Sequence, residues 1–122
     1  MTFGEILAQI VEPTPGAIAG AIMGADGIAV DEYRRDGATL DLDALVVEFQ
    51  LVVEQARKVA TSLYREGGSG LEELILRTGA HQILFRHIDA EYCIVVVLEP
   101  EGLLGKARYL ARSLLGSIRA EL

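Results

Sequence analysis

Cysteine is nearly absent. Cys93 is the only one among 122 residues, so no internal disulfide framework can form. That economy suits a reducing compartment. Long apolar runs are missing too. The longest wholly aliphatic stretch is Ile94 to Leu98, far short of the ~20 residues that a membrane helix requires. The first residues, Met1 to Val11, carry Glu5 and no basic cluster, so they do not read as a signal peptide. Basic residues are scarce: 11 against 18 acidic ones give a formal charge of -7. A chain of that sign repels a phosphate backbone unless its cations cluster. The expectations are a cytoplasmic protein, no nucleic acid as partner and no membrane insertion.

Apolar residues are plentiful, at 51%, enough to build a sizeable core. Disorder over the whole length is therefore excluded. No repeat or low-complexity linker divides the chain, and residues 1–122 read as one domain.

Thr2, with Glu5 three residues on, caps a helix to about Glu12. Its stripe is Phe3, Ile6, Leu7, Ile10 and Val11. Pro13 and Pro15 end it. Gly16 to Gly24 alternates as a strand. Ile18 and Ile22 should share one face, with Ala17, Ala19, Ala21 and Met23 on the other, where small side chains admit a close helix. Asp26-Gly27 predicts a two-residue type I′ hairpin turn, and Ile28 to Tyr33 the returning strand. Arg34 to Leu40 is a polar connection.

A long helix is predicted from about Asp41 to Glu66. Leu42, Leu45, Val46, Phe49, Val52, Val53, Ala56, Val59, Ala60 and Leu63 fall within roughly 140° of one another. Gly67 to Gly70 stops it. Three strands follow: Leu71 to Thr78, His81 to Ile88, and Tyr92 to Glu99. The last is apolar on both faces and should lie centrally. A turn at Pro100 to Gly102 leads into a final helix from Leu103 to about Glu121. The order α-β-β-α-β-β-β-α predicts an α/β protein, more narrowly α+β. It is a sandwich with one five-stranded, mainly antiparallel sheet covered by helices on both faces.

Two stretches sharpen that reading. One is Gly16 to Val30, a glycine- and alanine-rich hairpin. The other is Tyr92 to Leu98, followed by Gly102 and then Leu104-Gly105-Lys106-Ala107-Arg108. With the long middle helix between them, the chain resembles the Roadblock/dynein light chain family. Within it the chain is most similar to bacterial Mgl-type polarity proteins, which regulate a Ras-like GTPase, and among these to the MglC-type adaptor branch. The resemblance implies a homodimer, with the sheet continued across two subunits and the middle helices side by side. It implies a non-catalytic adaptor that binds another Roadblock protein of the MglB type. Two alternatives stand: a dimer that contacts the GTPase directly and activates it, or a scaffold for an unrelated complex.

Catalytic lookalikes fail on inspection. Gly102 to Ala107 sits between strand and helix, where a phosphate loop belongs. Yet the position five before Gly105 is Pro100, and the magnesium-binding hydroxyl position is Ala107. His81 and His87 lie about 20 Å apart on an extended strand, too far to share a metal. Cys93 reads as a small core residue. Glu72 and Glu73, adjacent on a strand, point to opposite faces. No enzyme activity, cofactor or metal is expected.

Contact surfaces remain. Val47 and Leu51 lie off the main helical stripe, with Glu54 and Lys58 continuing their line; they are a candidate dimer seam or ordinary surface apolars. Leu71 to Thr78 should be a sheet edge, with Leu71, Glu73, Ile75 and Arg77 on one face, open to pairing with its copy. Ala25, Asp26 and Ile28 at the hairpin tip form either a partner-binding knob or turn structure alone. Arg108, Arg112 and Arg119 fall within roughly 40° on the last helix, as a basic ridge for an acidic partner or as a solvated face.

Overall fold

The computed structural model describes residues 1–63 and 70–122. The expected end of the long helix at Tyr64 to Glu66, and its stop at Gly67 to Ser69, lie outside the described residues. The elements are α1 (Phe3–Val11), β1 (Ala17–Gly24), β2 (Ala29–Arg34), α2 (Leu42–Ser62), β3 (Glu73–Arg77), β4 (Gln82–His87), β5 (Tyr92–Leu98), α3 (Leu104–Ser113) and α4 (Leu115–Glu121). The strands form one sheet in the order β2-β1-β5-β4-β3, and every pairing is antiparallel. This is the expected α+β sandwich.

β5 lies at the centre of the sheet, as its two apolar faces require. Ile94, Val96 and Leu98 pack with α1, α3 and α4, against Ile6, Leu7, Ile10, Ala107, Ala111 and Ile118. Cys93, Val95 and Val97 pack on the opposite side with α2, against Leu42, Val46, Phe49 and Val53. A strand between two helical layers must be apolar throughout. Gly20 lets α1 settle on β1: a Cβ there would meet Leu7 Cδ2 at 3.3 Å and Val11 Cγ2 at 3.4 Å. Arg35 secures the same corner. Its Nη2 donates to the carbonyl of Val11 at 2.6 Å, and its Nε to that of Ala17 at 2.7 Å.

Four expectations need correction. The hairpin turn is not type I′, because that turn demands positive φ at both central residues and only Gly27, at +80°, adopts it. Gly27 N–H donates to Gly24 at 3.0 Å and Gly24 N–H to Ile28 at 3.0 Å, which makes a three-residue loop. Ile28 closes this loop opposite Gly24, and β2 begins only at Ala29.

The faces of β1 also differ. Pairing with β5 shifts between Ala17 and Ala19. That bulge puts Ala17 with Ile22 on the α1 side and turns Ile18 to the α2 side.

The last helix breaks at Leu114, where φ is -95° and ψ 2°. Ser113 Oγ donates back to the Tyr109 carbonyl at 2.7 Å, and such back-bonding bends helices.

Finally, β3 begins at Glu73, so strand alternation does not reach Leu71. Leu71 packs with Leu74 on the α2 side. Glu73 instead meets Arg108 of α3 at 2.7 Å, on the other face.

Candidate functional site

Backbone hydrogen bonds define the hairpin tip before any side chain does. Ala25 N–H donates to the carbonyl of Glu91, in the β4–β5 loop, at 2.9 Å. Ala25's own carbonyl accepts from Gln50 Nε2 of α2 at 3.0 Å. Asp26 Oδ1 accepts from Ile28 N–H at 3.0 Å, an Asx turn that rigidifies the loop from within. Gly27 lies over Gln50, whose Cβ and Cγ would stand 3.3 Å from an added Cβ. The tip is thus held by α2, by the β4–β5 loop and by itself.

The side chain of Ile28 stays outside this scaffold. It is 63% exposed, and none of the hydrogen bonds that fix the loop requires an apolar side chain there. Among the predicted tip residues, Ala25 and Asp26 are also exposed. Sequence reading singled out these three but missed Gln50, Glu91 and Tyr92, which arrive from other elements. The apolar residue beside an Asp-Gly turn was the only local signal.

On α2 the sheet buries only Leu42, Val46, Phe49 and Val53. Val52, Val59 and Leu63, expected in the same stripe, are exposed, Val59 by 62% and Leu63 by 73%. Val47 and Leu51 are exposed as well. At about 100° per residue, Val47 and Leu51 point nearly opposite to the sheet-facing row, with Lys58 on their line. Val52, Val59 and Leu63 form a flank about 160° round the helix from Gln50, which reaches the hairpin. Glu54 turns inward and lies 3.3 Å from Gln50 Nε2. At the sheet edge, Ile75 and Leu76 of β3 are exposed.

The arginines of the last helix disperse. Arg108 pairs with Glu73, which also meets Arg86 at 3.8 Å. Arg119 donates twice to the Ile88 carbonyl, at 2.9 and 3.2 Å. These bonds tie α3 to β3 and α4 to Ile88, just past the end of β4. Arg112 alone of the three has no such bond among the described residues.

Cys93 is buried, and burial pushes its thiol up to about 12. His87 is held below its ordinary 6.5, first by burial and then by the charge of Arg57. Arg57 itself lies over the Phe85 ring, 5.6 Å from its centroid. His81 precedes β4 while His87 ends it. Among the described residues, no group of three or more His, Cys, Asp and Glu is placed to hold a metal. At the phosphate-loop lookalike, Gln82 Nε2 donates to the carbonyls of Glu99 at 3.1 Å and Gly102 at 3.1 Å, closing the turn from inside. No described helix is long and apolar enough to cross a membrane.

No family model matches the chain, and no curated protein does. Solved structures do match. A Roadblock/LC7 domain from Streptomyces avermitilis superposes with a TM-score of 0.81 at 14% identity, covering 98% of this chain and 97% of that one. The gliding protein MglB from Thermus thermophilus superposes at 0.79 with 17% identity, covering 91% and 81%. At those identities the match speaks for the fold, which is that of a Roadblock/LC7 domain. MglC from Myxococcus xanthus is 32% identical over 100% of both chains, with a TM-score of 0.71. The chain belongs to the Roadblock family, as an Mgl-type, MglC-like member.

Proposed function

We propose that this protein is a non-catalytic adaptor in a Ras-like small-GTPase module of cell polarity and gliding motility. It acts as a homodimer that binds a second Roadblock protein of the MglB type. The full-length likeness to MglC carries this reading. The hairpin tip supplies the contact: Ala25, Asp26 and Ile28 stand on a loop fixed from three sides, with one apolar side chain left in solvent. A preorganised loop loses little entropy on binding.

The dimer uses α2 and the edge strand β3. Of the two exposed apolar lines on α2, the Val52–Val59–Leu63 flank is better placed than the Val47–Leu51 line for helices lying side by side. It faces away from the hairpin, and on the α2 face of the sheet edge Leu76, paired with Ile83, is exposed, whereas Ile75, paired with Leu84, lies on the α1 and α3 side. Leu71 supports α2 from beneath, and Glu73 anchors β3 to α3, so both act behind the seam. Val47 and Leu51, with Lys58, then face outward in the dimer.

The test is capture by purified partners offered singly: an MglB-type Roadblock protein, and the GTPase loaded with a GTP analogue. The adaptor reading predicts capture of the Roadblock protein and no acceleration of GTP hydrolysis by this chain alone. Direct GTPase capture with faster hydrolysis would replace it with the activating reading.

A further inference from the structure

Val30 lies next to the hairpin tip and has no packing reason to be apolar. Pairing of β1 with β2 passes from Ile22↔Asp31 to Met23↔Ala29, so Val30 is the extra residue of a β-bulge. A bulge bends the strand and re-aims a side chain. Here it leaves Val30 49% exposed, close along the chain to the exposed Ile28. Bulges also blunt an edge against strand addition, and Asp31 and Glu32 follow on the same edge. The surface is therefore suited to side-chain recognition, not to pairing with another strand.

A groove of about 390 Å³ opens here, lined by Ala25, Asp26, Ile28, Val30, Glu91 and Tyr92 among others. Its charge is of one sign. Among the described residues, no lysine or arginine lines it. Asp26 and Glu91 make no ion pair among the described residues.

We infer that this groove receives a partner surface presenting one apolar side chain beside a lysine or arginine. The apolar group enters between Ile28, Val30 and the Tyr92 ring. The cation faces Asp26 and Glu91. An apolar anchor supplies the affinity, and exposed opposite charges supply on-rate and choice of partner. The inference rests on the adaptor reading and extends it to Val30, Glu91 and Tyr92.

The experiment measures affinity for a purified MglB-type Roadblock protein by calorimetry at low and high salt. Four forms are compared: the native chain, Val30→Ser, Glu91→Lys, and the double change Asp26→Ala with Ile28→Ala. Val30 and Glu91 are exposed, and thermal melting checks that each variant folds. Val30→Ser should weaken binding about tenfold. Glu91→Lys should weaken it about fivefold at low salt and flatten its salt dependence. Should the double variant lose binding while Val30→Ser and Glu91→Lys bind like the native chain, the groove is overturned and the tip reading stands. Should all variants bind like the native chain, both fall.

Discussion

The side-chain amide of Gln50, in the middle of α2, donates to the carbonyl of Ala25 at 3.0 Å and so couples the central helix to the tip of the first hairpin. Gln50 also lies 3.3 Å from Glu54 Oε1, one turn along the same helix, which fixes the amide's orientation. The exposed loop thereby inherits the rigidity of a long helix.

Replacing Gln50 by leucine removes that tie while keeping most of the volume beneath Gly27. The expected loss of stability is about 0.5–1.5 kcal/mol, the net worth of one hydrogen bond. The local effect is larger. Amide exchange at Gly27 and Ile28 should accelerate more than in β1 or β5, as followed by hydrogen-exchange NMR. Uniform acceleration across the sheet would show that Gln50 supports the whole fold rather than the tip.

The dimer seam can be located by charge insertion. Val59→Glu should shift the protein towards monomer in sedimentation, because it puts a charge into the proposed α2 flank. Leu51→Glu should leave the dimer intact. The reverse pattern would return the seam to the outward line of Val47, Leu51 and Lys58.

Gly16 and Gly102 give a stability test. Gly16 has φ at +83°, and a Cβ there would stand 2.4 Å from Gly102 Cα. Gly37 has φ at +84° with open space around it. Gly37→Ala thus isolates the backbone cost, about 1 kcal/mol. Gly16→Ala should cost clearly more, because two backbones must also part. Equal losses of Tm would contradict the close approach.

His87 predicts an acid sensitivity. Its folded-state affinity for protons is lowered below the ordinary 6.5, by burial first and by Arg57 second. Its Nδ1 is buried with no hydrogen-bond partner. The unfolded chain then takes up a proton before the folded one does, so its contribution to stability is complete above pH 6.5 and declines as pH falls through the folded value. Thermal melts should show that decline, and His87→Gln should reduce it. An unchanged pH profile in the variant would assign the acid sensitivity to other groups.

Element order was legible in the sequence because each element carries its own period or its own stop signal. The doubly apolar Cys93 to Leu98 announced its central place. What escaped was set by pairing. The bulge beside Ile18 reversed the faces of Ala17 and Ile18, and alternation alone gives no sign of a bulge. The ten apolar residues of α2 read as one stripe, yet the sheet accommodates only four of them, and the flank at Val59 emerges from that limit. Arg108 and Arg119 formed a ridge on the helical wheel, but Glu73 and the Ile88 carbonyl take them up from distant parts of the chain. At the candidate site, Ile28 could be read from its place beside a turn. Val30, Glu91 and Tyr92 could not, because a bulge and the β1–β5 pairing bring them there.

The most direct test is a binding measurement with two partners offered separately to the native chain and to the Asp26→Ala, Ile28→Ala double variant. The account predicts that the native dimer captures an MglB-type Roadblock protein, leaves the GTPase unbound and its hydrolysis rate unchanged, and loses capture in the double variant while remaining folded and dimeric. Capture of the GTPase alone, with faster hydrolysis, would contradict it.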